Sequence, residues 1–310
     1  QLIILDRLIA ELPTERSSGF ELQKKIVGTL GNLSTDIIPM GKDTSPESCK
    51  VFFTVKTRFL SRNTNEALNL IAELLTETEY DHSELVSRQL RQDEEELKQD
   101  IISEGHRFSV RRATANMSAE SAIIELINGY EAYQTFHSVN KLSDDAFSKL
   151  LSQLRPLAKR VFCKSRLTVS IGSAGNTDIS LLTDRLPAGT SSDMENMKFS
   201  LNIPKNNCIV VPTATSYSGA VLSRKITDKP EWSVASTIIS YEYLWNEVRV
   251  KGGAYGSGCN VNNMNEACLH SYCDPSPLNS IGIYERSAEF LTEYCSNDPD
   301  ITPYIISTIA

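Results

Sequence analysis

Apolar residues recur at helical spacing near the start of the chain. Leu5, Leu8, Ile9 and Leu12 share one face, and Pro13 ends the run. Ser18-Gly19-Phe20-Glu21 has the form of a capping box and predicts a second helix to about Gly31. Strands are expected at 34–40 and 49–60, where Val51 to Thr57 alternate only in part, as in a strand covered on one face. Residues 63–76 predict a helix burying Ala67, Leu68, Leu70, Ile71, Leu74 and Leu75. A long charged helical stretch covers 83–113, interrupted at Glu104-Gly105-His106-Arg107, and further helices are expected at 118–129 and 143–159.

The pattern then repeats in outline. Leu167-Thr168-Val169-Ser170-Ile171-Gly172 predicts a strand, 178–186 a helix, and Cys208-Ile209-Val210-Val211-Pro212 a buried strand ended by proline. A long helix is expected at 231–248, with Pro230 just before its first turn. Residues 254–261 and 267–272 read as paired strands, and 277–294 as a helix. Strand pairs flanked by long helices, occurring twice, predict an α+β fold of two similar domains, 1–160 and 161–310, with helices on one face of each sheet.

Composition narrows the functional classes. The 310 residues are 40% hydrophobic and 23% charged, ordinary for a soluble globular protein, and no apolar run approaches a membrane span. The net charge of −8 argues against nucleic acid as a main partner. Seven cysteines, an odd number without metal-ligand spacing, read as reduced thiols of an intracellular protein. Neither end has the features of a natural terminus, so the chain reads as a piece of a longer protein with a possible targeting signal lost upstream.

Candidate metal chemistry is sparse. His82, His106, His137 and His270 include no pair at i, i+4 and no HExxH or HxxEH motif. Cys259, Cys268 and Cys273 lie on or beside two adjacent strands without tetrahedral logic. Arg249 and Tyr255 are the stronger candidates. They are six residues apart across Gly252-Gly253, glycines that let the backbone turn with positive φ and approach a ligand closely. A guanidinium and a phenol there could stabilise the oxyanion of amide hydrolysis and hold an extended peptide. Spacing alone leaves the alternative open: a half-buried strand tyrosine and a cation favoured by a helix C-terminus. A phosphate loop is disfavoured, because these glycines precede a strand and no Lys-Ser/Thr follows.

Arg249-Val250-Lys251-Gly252-Gly253-Ala254-Tyr255-Gly256 resembles the R-V-x-G-G-A-Y-G segment of the pitrilysin/insulinase family of inverted-motif zinc peptidases, most closely its presequence-protease branch. Val210 to Gly219 resembles that branch's V-P-T-x-V-N-Y-x-G segment, Ser271-Tyr272-Cys273-Asp274-Pro275 its S-Y-R-D-P turn, and Glu104 to Phe108 its S-G-H-S-Y helix break. Cys273 stands where the turn has Arg, and Thr215-Ser216 where the loop has V-N before Tyr217.

The resemblance implies a metallohydrolase-like fold, as in the mitochondrial processing peptidases, and a four-domain enzyme of which this chain is the C-terminal half. Residues 1–160 would be the third domain, without its N-terminal strand, and 161–310 the fourth, without its last helices. It further implies Zn2+ bound by ligands in the N-terminal half, none in this chain, with that half as partner and unfolded peptides as substrates. Arg249 and Tyr255 would serve catalysis, and with Gly252 and Gly253 would bind substrate. A bacterial cytoplasm is expected, or an organelle matrix in a eukaryote, and the half alone could dimerise through uncovered apolar faces. The alternative is a non-catalytic homologue or subunit using the fold for peptide binding or assembly.

Overall fold

The computed structural model describes residues 1–42, 45–173, 175–190, 197–223 and 226–309. In chain order the elements are α1 (Leu2–Leu8), α2 (Gly19–Thr29), β1 (Asn32–Lys42), β2 (Ser45–Arg58), α3 (Thr64–Glu77), α4 (Ser83–Ser103), α5 (Gly105–Thr114), α6 (Ala119–Asn128), α7 (Tyr130–Val139), α8 (Asp144–Val161) and the short α9 (Ser180–Thr183). Then follow β3 (Met197–Lys198), β4 (Ser218–Ser223), α10 (Lys229–Ile238), a π-helical segment (Ile239–Lys251), β5 (Gly256–Val261), β6 (Ala267–Tyr272), α11 (Pro277–Tyr284), α12 (Ser287–Ser296) and α13 (Thr302–Ile309). The fold is thus α+β, with two three-stranded sheets ordered β1-β2-β3 and β4-β6-β5.

Two compact units emerge, and both are discontinuous in sequence. One comprises 1–40, 50–96 and 133–196; the other comprises 41–49, 97–132 and 197–310. They do not follow a cut near residue 160: the stretch 97–132 packs with the later part of the chain.

In the first unit, local signals are realised directly. Ser18 caps α2 reciprocally with Glu21, satisfying two otherwise orphaned N–H groups. The buried face of α3 (Ala67, Leu70, Leu74) packs with Leu22 and Leu30. Burial of Glu73 at the end of this layer would raise its pKa. Hydrogen bonds from Ser17 and Thr14, at 2.6 and 2.5 Å, with Lys25 nearby, outweigh that and hold it below the usual range.

Two expected strands are absent. Residues 167–172 take no regular structure, and Val169 and Ile171 are exposed. Residues 208–212 are likewise irregular, with Val210 93% exposed, so the expected buried strand is overturned. A short apolar run becomes a strand only where a neighbour satisfies its backbone, and among the described residues neither run has one. The helix expected at 178–186 shrinks to one turn, and that at 277–294 breaks in two at Glu285-Arg286.

The second unit carries the β4-β6-β5 sheet. β4 and β5 both pair antiparallel with β6, with Leu269 opposite Ala220 on one side and Cys259 on the other. On that face Leu269 and Cys259 join Ile239, Leu244 and Val248 of the π-helical segment and Ile283 of α11 in one core. The other face is covered by α5, which packs on β4 and β6. Helices therefore lie on both faces of this sheet, not on one as the sequence pattern suggested. At the outer side of β5, the Cys259 N–H donates to Ser240 Oγ at 2.9 Å.

Candidate functional site

Alternation along β6 turns His270 and Tyr272 toward the α5 side, away from Leu269 and Ser271. Their cross-strand neighbours there are glycines: Gly219 and Gly258 flank His270, and Gly256 lies opposite Tyr272. Gly219 and Gly258 each make room for something specific, whereas a Cβ on Gly256 would meet only the Tyr272 Cβ, at ordinary contact distance. A Cβ on Gly219 would stand 2.5 Å from the Val110 backbone nitrogen, so α5 rests directly on β4. A Cβ on Gly258 would meet the His270 ring at 2.9 Å. A Cβ on Gly105 would overlap the Tyr217 ring, which sits on the break between α4 and α5.

These close approaches gather a cluster of rings. His106 lies 5.4 Å from His270, 5.0 Å from Tyr272 and 6.4 Å from Tyr217, between ring centres. Tyr272 touches Tyr217 at 5.6 Å and Tyr255 at 5.9 Å. The Tyr217 hydroxyl donates to the Ile102 carbonyl at 2.5 Å, which fixes that ring. Burial, helped by neighbouring His106, lowers the His270 pKa to about 4. Burial also lowers that of His106, against the pull of Glu104. Both imidazoles are neutral at pH 7. The Tyr272 phenol is held above its ordinary pKa, first by the Cys273 thiol, so it too stays neutral.

Arg249, in the last turn of the π-helical segment, holds its guanidinium 3.8 Å above the Trp245 ring, a cation–π contact. Tyr255 enters β5 with 72% of its surface exposed. Its N–H donates to the carbonyls of Tyr272 and Cys273, at 3.0 and 3.2 Å. Among the described residues no hydrogen bond or ion pair joins Arg249 to Tyr255. The two glycines between them differ. Gly253 has φ +82°, the left-handed conformation glycine favours. Gly252 is right-handed at φ −82°, and its requirement is space: a Cβ would lie 2.5 Å from the Val248 carbonyl. The expected positive φ therefore holds for Gly253 alone.

The four family-like segments meet at one end of this sheet. Tyr217 and the His106 segment share ring contacts, Tyr272 touches both, and Tyr255 leans on Tyr272. Buried Asp274 fastens the turn: its N–H donates to the Ser216 carbonyl at 2.8 Å, and its carboxylate accepts from Ser276 N–H and Ser280 Oγ. Cys273 before it has φ +46°, an uncommon conformation for a residue with a side chain. Sequence reasoning singled out Arg249, Tyr255 and the glycines but not His106, His270, Tyr217 or Tyr272 as a group. The period-2 placement of His270 and Tyr272 opposite glycines was the available signal.

Among the described residues, no three His, Cys, Asp or Glu side chains are grouped to hold a metal ion. Cys259 and Cys268 sit on adjacent β-pair positions that face opposite ways, and burial raises each thiol's pKa to about 12, leaving both unreactive.

Comparison with known proteins supplies the context. Residues 1–139 match the family model for the region associated with subfamily C of the M16 peptidases, and 206–310 match "PreP C-terminal domain". The chain is similar to "Protein HypA" of Clostridium perfringens, 23% identical over 99% of this chain and 32% of that protein. It is also similar to "Presequence protease 1, chloroplastic/mitochondrial" of Arabidopsis thaliana, 22% identical over 97% of the chain and 29% of the relative. The chain thus spans about a third of the length of these relatives. In fold it resembles a conserved protein from Enterococcus faecalis V583 whose crystal structure is known. The TM-score is 0.58 at 11% identity, over 92% of this chain and 69% of the other. No helix among the described residues is long and apolar enough to cross a membrane.

Proposed function

Since the chain belongs with the C-terminal portion of the presequence-protease family of M16 peptidases, we propose that it is the substrate-facing half of a peptidase that encloses and cleaves unfolded peptides. One observation supports this reading above others: an exposed phenol and a cation flank a glycine turn at the meeting point of all four family-like segments. Arg249 would hold a peptide carbonyl through its planar fork of donors. Tyr255 would donate its phenolic hydrogen bond to the oxygen that gains charge as the scissile carbonyl becomes tetrahedral. Gly253 sets the angle between them, and Gly252 lets the turn close against Val248.

On the family resemblance, zinc and its ligands would belong to the N-terminal half, and no step here runs through the metal. The partners are that half and the peptide; the compartment is a bacterial cytoplasm or an organelle matrix. Closure of the two halves would bring the sets of groups together.

In the full-length protein, Tyr255→Phe should lower kcat at least about tenfold with little change in KM, as expected for an interaction made in the transition state. Steady-state cleavage of an unstructured peptide checks this, and unchanged turnover removes Tyr255 from the mechanism. Absence of peptide cleavage by the unsubstituted full-length protein would instead favour the non-catalytic reading.

A further inference from the structure

We propose that Tyr272, backed by Tyr217, forms a shelf that takes an apolar side chain of the bound peptide and so contributes to cleavage specificity. The inference rests on the peptide-binding reading of Tyr255 and deepens it. Tyr255, Tyr272 and Tyr217 form one continuous row, with successive ring centres 5.9 and 5.6 Å apart. Tyr272 is the middle ring, touching the exposed Tyr255 on one side and Tyr217 on the other. A ligand group lying beside Tyr255 therefore meets the Tyr272 ring next.

Space for that group is present. Gly256 stands opposite Tyr272, and a Cβ built there would meet only the Tyr272 Cβ, at 3.9 Å. Any larger residue at this position would fill the area beside the ring. Tyr272 itself is only part-buried, so its ring keeps free surface. The back of the shelf is rigid. Tyr217 is held by its hydrogen bond to Ile102 and by contact with Gly105, and Asp274 pins the turn after Tyr272. Binding against pre-ordered rings costs little conformational entropy, which is how aromatic anchors contribute most.

The chemistry favours an aromatic or large aliphatic side chain. The contacting groups are two phenol rings and, beneath them, a neutral imidazole. Glu104 is the acidic neighbour of this cluster, and it is directed to His106, 3.8 Å away. Tyr217 and Tyr272 touch no proposed reacting atom, so they act on which peptide residue is accepted, not on the chemical step.

The test uses the full-length protein and peptides differing at one position near the cleaved bond (Phe, Leu, Ser or Lys). Expected is a preference for Phe and Leu over Ser of about tenfold or more in kcat/KM. Tyr272→Ala should cut that preference to below about threefold, chiefly through KM, while Tyr272→Phe retains it. Tyr255→Phe, by contrast, should depress kcat for all four peptides alike. Equal loss on every peptide in Tyr272→Ala, or a preference for Lys over Phe and Leu in the unaltered protein, overturns the shelf. Equilibrium binding of the same labelled peptides to both proteins separates the two proposals. Apolar preference in binding that vanishes in Tyr272→Ala supports the shelf even if no peptide is cleaved. Binding without any preference removes the shelf while leaving the peptidase reading intact.

Discussion

The two compact units bury their polar groups in different ways. In the first, a carboxylate is the centre: Glu73 accepts from Thr14 and Ser17 beneath a layer of aliphatic side chains, Leu22, Leu30, Leu70 and Leu74. In the second, the β4-β6-β5 sheet presents an aliphatic core to one side and rings opposite glycines to the other. The first arrangement stabilises by apolar burial and satisfied hydrogen bonds. The second gives up side-chain volume at Gly105, Gly219 and Gly258 so that rings and backbone can come close. Such exchange of packing for geometry is expected near sites that bind, and the exposed Tyr255 lies on that side.

That contrast can be broken at four points, from the largest expected effect to the smallest. Leu22→Ala, in the aliphatic layer, should cost about 2–5 kcal/mol of stability by leaving a cavity. Chemical denaturation would measure it; the ring cluster should be untouched, and a changed Tyr255-dependent activity would refute the separation of roles. The second point is pH. Burial and His106 depress the His270 pKa to about 4 from an ordinary value near 6.5. Between those values the unfolded chain binds the proton and the folded chain does not, so this group's contribution weakens as pH falls through that window and levels off below it. The full loss is on the order of 3 kcal/mol. The difference between the stability profiles of the unaltered chain and His270→Gln reports it together with the coupled change at His106, 5.4 Å away, while Asp93, raised by burial to about 6, titrates alike in both.

Gly219→Ala comes third. Its Cβ would push against the α5 backbone, for about 1–3 kcal/mol of overpacking. Hydrogen exchange should report the loosening in 105–114 and 218–223, and none in α2 or α3. The smallest effect is Trp245→Ala, which removes the ring under Arg249 at a cost of under about 1 kcal/mol. If Arg249 holds peptide as proposed, KM of the full-length protein should rise with kcat nearly unchanged, because Arg249 loses the surface it stacks on; unchanged KM would make the stack incidental.

What could be read from the sequence divides instead by distance along the chain, not by unit. Ser18, Ser118 and Ser143 marked helix starts that the structure reproduces, because a cap acts within three residues. The break at Gly105 was equally legible, since glycine interrupts a helix locally. Residues 167–172 and 208–212 misled because a strand needs a distant partner that composition does not reveal. The ring cluster was hidden for the same reason: Tyr217 reaches Ile102 across 115 residues. The Arg249–Tyr255 segment could be recognised as a string, but its contact with Trp245 and the asymmetry of its two glycines exist only in three dimensions.

Ser240 limits what the edge of this sheet can accept. Its hydroxyl occupies the outward N–H of Cys259, so the free edge of β5 is capped at mid-strand. A peptide arriving beside Tyr255 therefore cannot extend this sheet as a fourth strand past that point. Main-chain pairing, which reads no sequence, is closed off there, and discrimination falls to whatever side chains the visitor can lay against the protein.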